Sequence, residues 1–200
     1  MCKKGIMKII KVLILMFVTF QAFAGELVLK TISLGPLNLT KETVVSVKIL
    51  NELFPKYEIN HEIRSGDSPD YHYFNVSDSK GSLFSVISYI ETPEQFKSSE
   101  GKINLLELNT SRIPDQYGIR IGDKFLEIRK KRKDKLEFGA GHFNNNIGGN
   151  NIYYSFSLEP TGYFKEIGIN YADPVSAKES DAKKQNPEIT TISWPYPAWE

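Results

Sequence analysis

The first clear pattern along the chain is an apolar stripe at helical spacing. Val45, Ile49 and Leu53 recur every four residues, so that they would share one face of a helix. A proline follows directly after residue 54, where a helix would have to stop. The spacing predicts one amphipathic helix over residues 41–54, and Thr40 is expected to cap its N-terminus.

A second, shorter helix is predicted after two glycines, Gly118 and Gly122. Asp123 is a candidate cap, and Phe125 and Ile128 are expected to face the core. Two closely spaced glycines before a helix also suggest a phosphate-binding loop. The lysine with serine or threonine, or the third glycine, of such loops is missing. We therefore interpret the glycines as a turn that starts a structural unit.

Alternating or short continuous apolar runs predict strands around the two helices. Between two of these runs, Asp78 and Gly81 suit a hairpin turn. The order of glycine, cap, helix and strands occurs twice, which indicates a weak internal duplication. We predict an α+β fold with an antiparallel sheet and two helices. The predicted strands lie at residues 26–34, 57–64, 71–77, 82–90, 102–109, 136–142, 151–158, 163–170 and 188–194.

Two polar segments interrupt this pattern. Residues 142–151 are rich in asparagine and glycine, which tolerate left-handed backbone, so a mobile hairpin loop is predicted there. Residues 172–187 have no apolar periodicity and are predicted to form an exposed loop. Neither segment is long or charged enough to separate domains. Residues 25–200 are therefore interpreted as a single domain.

The first 24 residues have the layout of a secretory signal peptide. Four lysines precede an apolar run over residues 12–20, and Ala22-Phe23-Ala24 follows. Cleavage is expected after Ala24, which would deliver the chain to the periplasm or the medium. The alternative, an N-terminal membrane anchor, is disfavoured because the apolar run is too short to cross a hydrocarbon core of about 30 Å. No stable membrane anchor is expected after cleavage.

The cysteine content and the net charge exclude several classes of function. Cys2, the one cysteine, lies in the predicted signal peptide, so the remaining chain would have no disulfide, no thiolate nucleophile and no cysteine-ligated metal. Loss of the four leader lysines would leave 21 basic against 24 acidic residues. A nucleic-acid partner is not expected, because such partners require a surplus of positive charge. The basic run at residues 129–135 is interpreted as the solvated face of a short helix, with a polyanion or lipid-headgroup site as the alternative.

Three short motifs resemble those of a known protein family. They are SRIPDQYGIRIGDKF, NIYYSF and ITTISW, which are similar to motifs of a bacterial envelope family of unknown function, typified by a sigma-E-regulated lipoprotein of enteric bacteria. The resemblance implies an envelope role and roles in turn geometry and packing for the matching residues. It implies no catalytic or binding residue, and the lipid anchor does not transfer because Gly25 stands where the lipidated cysteine would be. The matching residues are Ile113, Pro114, Gly118, Gly122, Phe125, Tyr154, Phe156 and Trp194.

Candidate chemistry is sparse. His61, His72 and His142 could form a zinc site with a carboxylate, but none lies at a short spacing from another. Hydrogen-bonded or exposed strand histidines are the simpler interpretation, and Asp67 and Asp70 are a faint calcium alternative. No catalytic, cofactor-binding or metal-ligating residue is therefore assigned.

The aromatic residues have two alternative interpretations. Exposed aromatic rings on a sheet can form protein interfaces or stack on sugars, and they can equally fill the core. Tyr154 and Phe156 are expected in the core, while Trp199 is left open as an exposed anchor.

The leading hypothesis is a non-catalytic envelope protein that binds a protein partner and needs no cofactor. The first alternative is an inhibitor of a secreted lysozyme or protease, which would insert residues 142–151 or 64–70 into the cleft of its target. The second alternative is a metal-assisted or carboxylate-based hydrolase. A structure that brings two of the candidate histidines and aspartates within ligand distance inside a pocket would favour the hydrolase, and scattered surface positions would exclude it.

Overall fold

Thirteen strands and three helices are found in the part of the chain that the structure describes. The structure is a computed structural model, and it describes residues 26–66, 69–139, 145–159, 166, 168 and 177–195. The helices are α1 Val47–Leu53, α2 Phe125–Lys131 and α3 Glu179–Gln185. The strands are β1 Leu29–Lys30, β2 Ser33–Leu34, β3 Leu37–Asn38, β4 Val44–Ser46, β5 Glu58–Arg64, β6 Tyr71–Asp78, β7 Gly81–Tyr89, β8 Glu100–Lys102, β9 Leu105–Leu108, β10 Glu137–Gly139, β11 Asn145–Gly149, β12 Ile152–Phe156 and β13 Thr191–Trp194.

An eight-stranded antiparallel sheet dominates the fold, in the order β10-β11-β12-β13-β9-β7-β6-β5. The order is that of a duplication: α1 precedes β5, β6, β7 and β9, and α2 precedes β10, β11, β12 and β13. In each half, three strands form a meander and a fourth strand returns after an insertion. The two fourth strands, β9 and β13, pair in the middle of the sheet. The predicted α+β class and helix-then-strands duplication are confirmed.

One face of this sheet is apolar on every strand. Directly paired residues of antiparallel strands point to the same face, so the register identifies a complete row across the sheet. This row contributes to one hydrophobic core that includes residues of both halves together with buried side chains from α1, α2 and β1 to β3. From edge to edge, the row is Phe138, Ile147, Tyr154, Ile192, Leu108, Phe84, Val76 and Ile59.

The first predicted helix is shorter than residues 41–54. Val44–Ser46 form strand β4, which pairs with β8, because consecutive β-branched residues favour extended backbone. The helix begins only at Val47, so Thr40 is not its cap. Ser46 is the N-cap, and its Oγ accepts a hydrogen bond from the backbone N–H of Ile49 at 3.3 Å.

The second predicted helix is confirmed in place and in its buried side. Phe125 and Ile128 are fully buried, and the Phe125 ring meets the edge of Phe156 at a centroid distance of 5.1 Å. The cap differs from the prediction, since Lys124 occupies the N-cap position and makes no side-chain cap hydrogen bond. Asp123 instead accepts from the backbone N–H of Arg120 at 3.0 Å, within the preceding turn.

Both predicted polar loops contain regular structure. Asn145–Gly149 form β11, between β10 and β12, and the hairpin turn is confined to Asn150 and Asn151, whose φ angles are 50° and 59°. In the second loop, Glu179–Gln185 form α3, where Ala182 is buried. Residues 145–149 are paired on both sides, so they are not the free loop that the inhibitor hypothesis requires.

The N-terminal strand prediction was too coarse. Residues 26–34 contain β1 and β2, which form a small three-stranded sheet with β3. The predicted strand at 163–170 lies outside the described residues except for Glu166 and Gly168. The predicted signal peptide and Trp199 also lie outside them. Among the described helices, none is long and apolar enough to cross a membrane.

Candidate functional site

The face of the sheet opposite the core carries a polar row across all eight strands. Its centre is Glu107 on β9, which pairs with Ser85 on one side and with Ser193 on the other. Tyr153, Glu107 and Asn75 of this row, which we call the second face, remain partly exposed, whereas Ser85 and Ser193 between them are buried. From edge to edge, the row is Glu137, Gly148, Tyr153, Ser193, Glu107, Ser85, Asn75 and Asn60.

Tyrosine, serine and asparagine predominate on this second face. Tyrosine supplies large amphipathic contact area with few rotatable bonds, and serine and asparagine supply adaptable hydrogen bonds. The Tyr153 ring lies over Gly148, where a Cβ would be only 2.2 Å from the ring. Gly148 thus lets an aromatic side chain lie flat along the sheet. The polar and aromatic members are Asn60, Tyr71, Tyr73, Asn75, Ser85, Tyr89, Asn146, Tyr153, Ser155 and Ser193.

Glu107 is unusual among the carboxylates of this face. Glu62 pairs with Arg64 and Glu137 pairs with Lys135, but Glu107 has no hydrogen bond or ion pair within the described part of the chain. Burial raises the pKa of the Glu107 carboxyl above its ordinary value, because desolvation disfavours the charged form. The centre of the second face therefore holds a partly desolvated carboxylate.

A cleft of about 600 Å³ lies where the second face reaches β5 and β6. Its floor is a hydrogen-bond network in which the Asn109 amide donates to Ser82 Oγ at 2.8 Å and to Ser85 Oγ at 3.3 Å. Ser82 in turn donates to Asn75 Oδ1 at 2.5 Å. The Arg64 guanidinium lies 3.5 Å above the Tyr73 ring at the rim. The cleft thus offers amide and hydroxyl groups beside an aromatic ring.

Two of the candidate histidines are brought together. His61 Nε2 and His72 Nδ1 are 3.0 Å apart, and His72 Nε2 is 3.0 Å from the carbonyl oxygen of Gln95. Because a carbonyl can only accept, His72 Nε2 carries a proton, and a neutral His72 therefore accepts at Nδ1 from His61. Burial, and then the neighbouring His72, lower the pKa of His61. The two histidines are hydrogen-bonded strand residues at ligand distance, but His61 lines the neighbouring cleft and His72 does not. The pair therefore does not place two ligands inside one pocket, as the hydrolase alternative requires.

The remaining candidate metal ligands do not join this pair among the described residues. Asp70 lies just before β6, and its backbone oxygen accepts from the N–H of Ile90 at 2.8 Å. His142 and Asp67 lie outside the described residues. No group of three or more potential ligands converges within residues 26–66, 69–139, 145–159 and 177–195.

The glycine turn is built over a buried polar network that the sequence reading missed. Asp115 Oδ1 accepts from the backbone N–H groups of Tyr117 and Ile119 at 2.8 Å each, and Oδ2 accepts from the Tyr154 hydroxyl at 2.5 Å. Arg132 donates to the same hydroxyl at 3.3 Å. Burial raises the pKa of Asp115. These contacts tie the turn to α2 and β12, so their role is structural.

The basic run at residues 129–135 is largely neutralised within the fold. Arg129 pairs with Glu179 of α3 at 2.7 Å, and Lys131 donates to the Gly118 carbonyl at 2.8 Å. Arg132 contradicts the prediction of a solvated face, since its side chain is fully buried and pairs with Asp134. A polyanion would find few free cations along this helix.

The fold defines the chain as an α+β protein in which two helix-and-strand halves share one antiparallel sheet. The crystal structure of the uncharacterized protein yfeY from Escherichia coli is similar, with a TM-score of 0.53 and 16% sequence identity, over 84% of this chain and 99% of that chain. At this identity the likeness shows the fold alone. It agrees with the bacterial family of unknown function that the sequence resembles. No protein-family model and no curated protein matches the chain.

Proposed function

We propose that this chain is a non-catalytic protein-binding module of the bacterial cell envelope, and that it binds its partner through the second face of the sheet. One observation carries the proposal: the row opposite the core is polar and aromatic on strands where the core row is apolar except for the hydroxyl of Tyr154. Partly exposed tyrosines among serines and asparagines are also the composition of antibody paratopes, which recognise proteins.

The envelope location is supported by two features of the sequence. The first 24 residues have the charge, apolar run and small-residue site of a secretory signal peptide. The three short motifs resemble those of the envelope family typified by a sigma-E-regulated lipoprotein. A protein delivered there without a lipid anchor would meet its partner in the periplasm or in the medium.

Two buried titratable groups, His72 and Asp115, are poorly placed for catalysis. General acid–base chemistry needs a group that can exchange its proton with a substrate. His72 is committed to His61 and to the Gln95 carbonyl, and Asp115 is fully buried under the turn. These groups stabilise the fold and are poorly placed to reach a substrate.

Site-specific photo-crosslinking would test the face. A photoreactive phenylalanine analogue is placed in living cells at Tyr73 or at Ile87, both on the second face, and at Lys133, which is exposed at the end of α2. We expect the same discrete adduct from both face positions and none from Lys133. Adducts that form equally at all three positions, or at none, would contradict the proposal. Recovery of uncleaved chain in the cytoplasm would contradict the envelope location.

A further inference from the structure

The carboxylate of Glu107 is the distinguishing group of the second face. It lies on β9, with four strands on one side and three on the other. Its direct neighbours across both strand pairs, Ser85 and Ser193, are small, uncharged and buried, so neither supplies a counter-charge. Burial, and then the nearby charge of Glu107, raise the pKa of the Tyr89 hydroxyl, and Tyr89 is 36% exposed.

A partly desolvated carboxylate without a partner favours binding of a cation. Such a group has already lost part of its hydration, so an incoming cation has less to displace and forms the pair in a medium of lower dielectric. The nearby Tyr89 ring suits the alkyl stem of a lysine or the plane of a guanidinium.

We infer that Glu107 is the receptor for a lysine or arginine side chain that the protein partner inserts at the centre of the second face. This inference rests on the proposed function, which it deepens by naming the chemistry of the partner. The pair would be the orienting contact of the interface, since charged groups at a desolvated centre fix register and exclude wrong partners.

The dimensions of the face favour a polypeptide as the carrier of that cation. Eight strands spaced by about 4.8 Å give a surface roughly 34 Å wide. A small amine would contact only Glu107 and its immediate neighbours. Most of the polar row from Tyr153 to Asn60 would then make no contact with the ligand. A folded partner or an extended segment would cover the whole row.

The test uses a random peptide library displayed on phage and selected against the mature chain. We expect the selected peptides to be enriched in lysine or arginine at one position. Glu107→Gln should weaken their binding by about tenfold to a hundredfold. The matched control, Glu52→Gln, removes an exposed carboxylate from α1, outside the second face, and should leave the affinity unchanged.

A double-mutant cycle makes the assignment specific. Each selected peptide is compared with a version in which its lysine or arginine is replaced by glutamine, against the wild type and against Glu107→Gln. Because the cycle isolates the pairwise interaction, we expect the second substitution to have almost no effect once the first is present. Additive losses in affinity would overturn the inference.

The remaining outcomes separate the inference from the proposed function. Peptides that are blocked by Ile87→Lys but tolerate Glu107→Gln would overturn the inference and leave the binding face standing. Peptides that tolerate both substitutions, or a library without binders, would overturn both proposals. A wild-type chain that self-associates, with a monomeric Glu107→Gln variant, would assign the face to a second copy of the chain and overturn the inference.

Discussion

At the scale of single residues, the turn before α2 depends on left-handed backbone. Gly118 has a φ of 72°, and an added Cβ would meet nothing within 4 Å. The cost of a side chain there is therefore conformational. We expect Gly118→Val to lower the free energy of unfolding by about 1 to 3 kcal/mol, and Gly118→Asn to lower it less, because asparagine tolerates this region better. Urea denaturation measures both, and equal effects of the two substitutions would contradict the argument.

Glu107 should make stability depend on pH in a defined direction. Its folded pKa is raised, so the folded state holds the proton more tightly and the free energy of unfolding falls as pH rises above the ordinary value of 4.5. Glu107→Gln should then be more stable than the wild type at neutral pH. The difference should disappear below the ordinary pKa, where both side chains are neutral. A Glu107→Gln variant that is less stable at neutral pH would argue against this electrostatic cost.

At the scale of elements, α2 is held mainly by its buried side. Phe125 is fully buried, whereas its neighbour Leu126 is 45% exposed. Phe125→Ala should lower the free energy of unfolding by about 3 to 5 kcal/mol, because it removes a ring and leaves a cavity. Leu126→Ala, the control in the same turn, should change it by less than about 0.5 kcal/mol. Similar effects of the two substitutions in urea denaturation would show that the helix does not pack as described.

Mild acid should destabilise strand β5 through His61. The pKa of His61 is lowered from 6.5 by burial and by His72, so the unfolded chain takes up this proton first and stability falls as pH drops below 6.5. His61→Phe keeps an aromatic ring stacked on Phe74, now 4.6 Å away, and removes the titration. Its free energy of unfolding should fall less between neutral and mildly acidic pH. Parallel pH profiles for the two proteins would refute the assignment.

The elements that sequence patterns predicted well are those whose own residues decide the structure. The spacing of Phe125 and Ile128 in the sequence predicted α2 correctly, because these two side chains are the ones that the helix buries. Strand β11 was missed because its asparagines and glycines have no strand signal, and neighbouring strands impose its pairing. The second face was missed for a further reason: Ser85, Glu107 and Ser193 become neighbours only through strand register, which no local spacing contains.

At the scale of the whole molecule, the two halves should unfold together. They share one hydrophobic core, and Ile192 pairs with Leu108 at the junction of β13 and β9. We expect one cooperative transition, with thermal midpoints that coincide by far-UV and near-UV circular dichroism. Leu108→Ala should lower both midpoints equally. Two separated transitions would show that the halves are independent units.

The two halves of the sheet meet at the antiparallel pair of β9 and β13. They are arranged there like the two subunits of a two-fold symmetric dimer, although both belong to one chain. In a dimer of identical subunits, equivalent positions across such a junction must carry the same residue. Here one chain encodes both sides, and Glu107 faces Ser193. A surface with perfect symmetry would accept a partner in two opposite orientations with equal affinity. In the proposed interface a single off-axis charge would remove that degeneracy, so the partner would bind in one orientation.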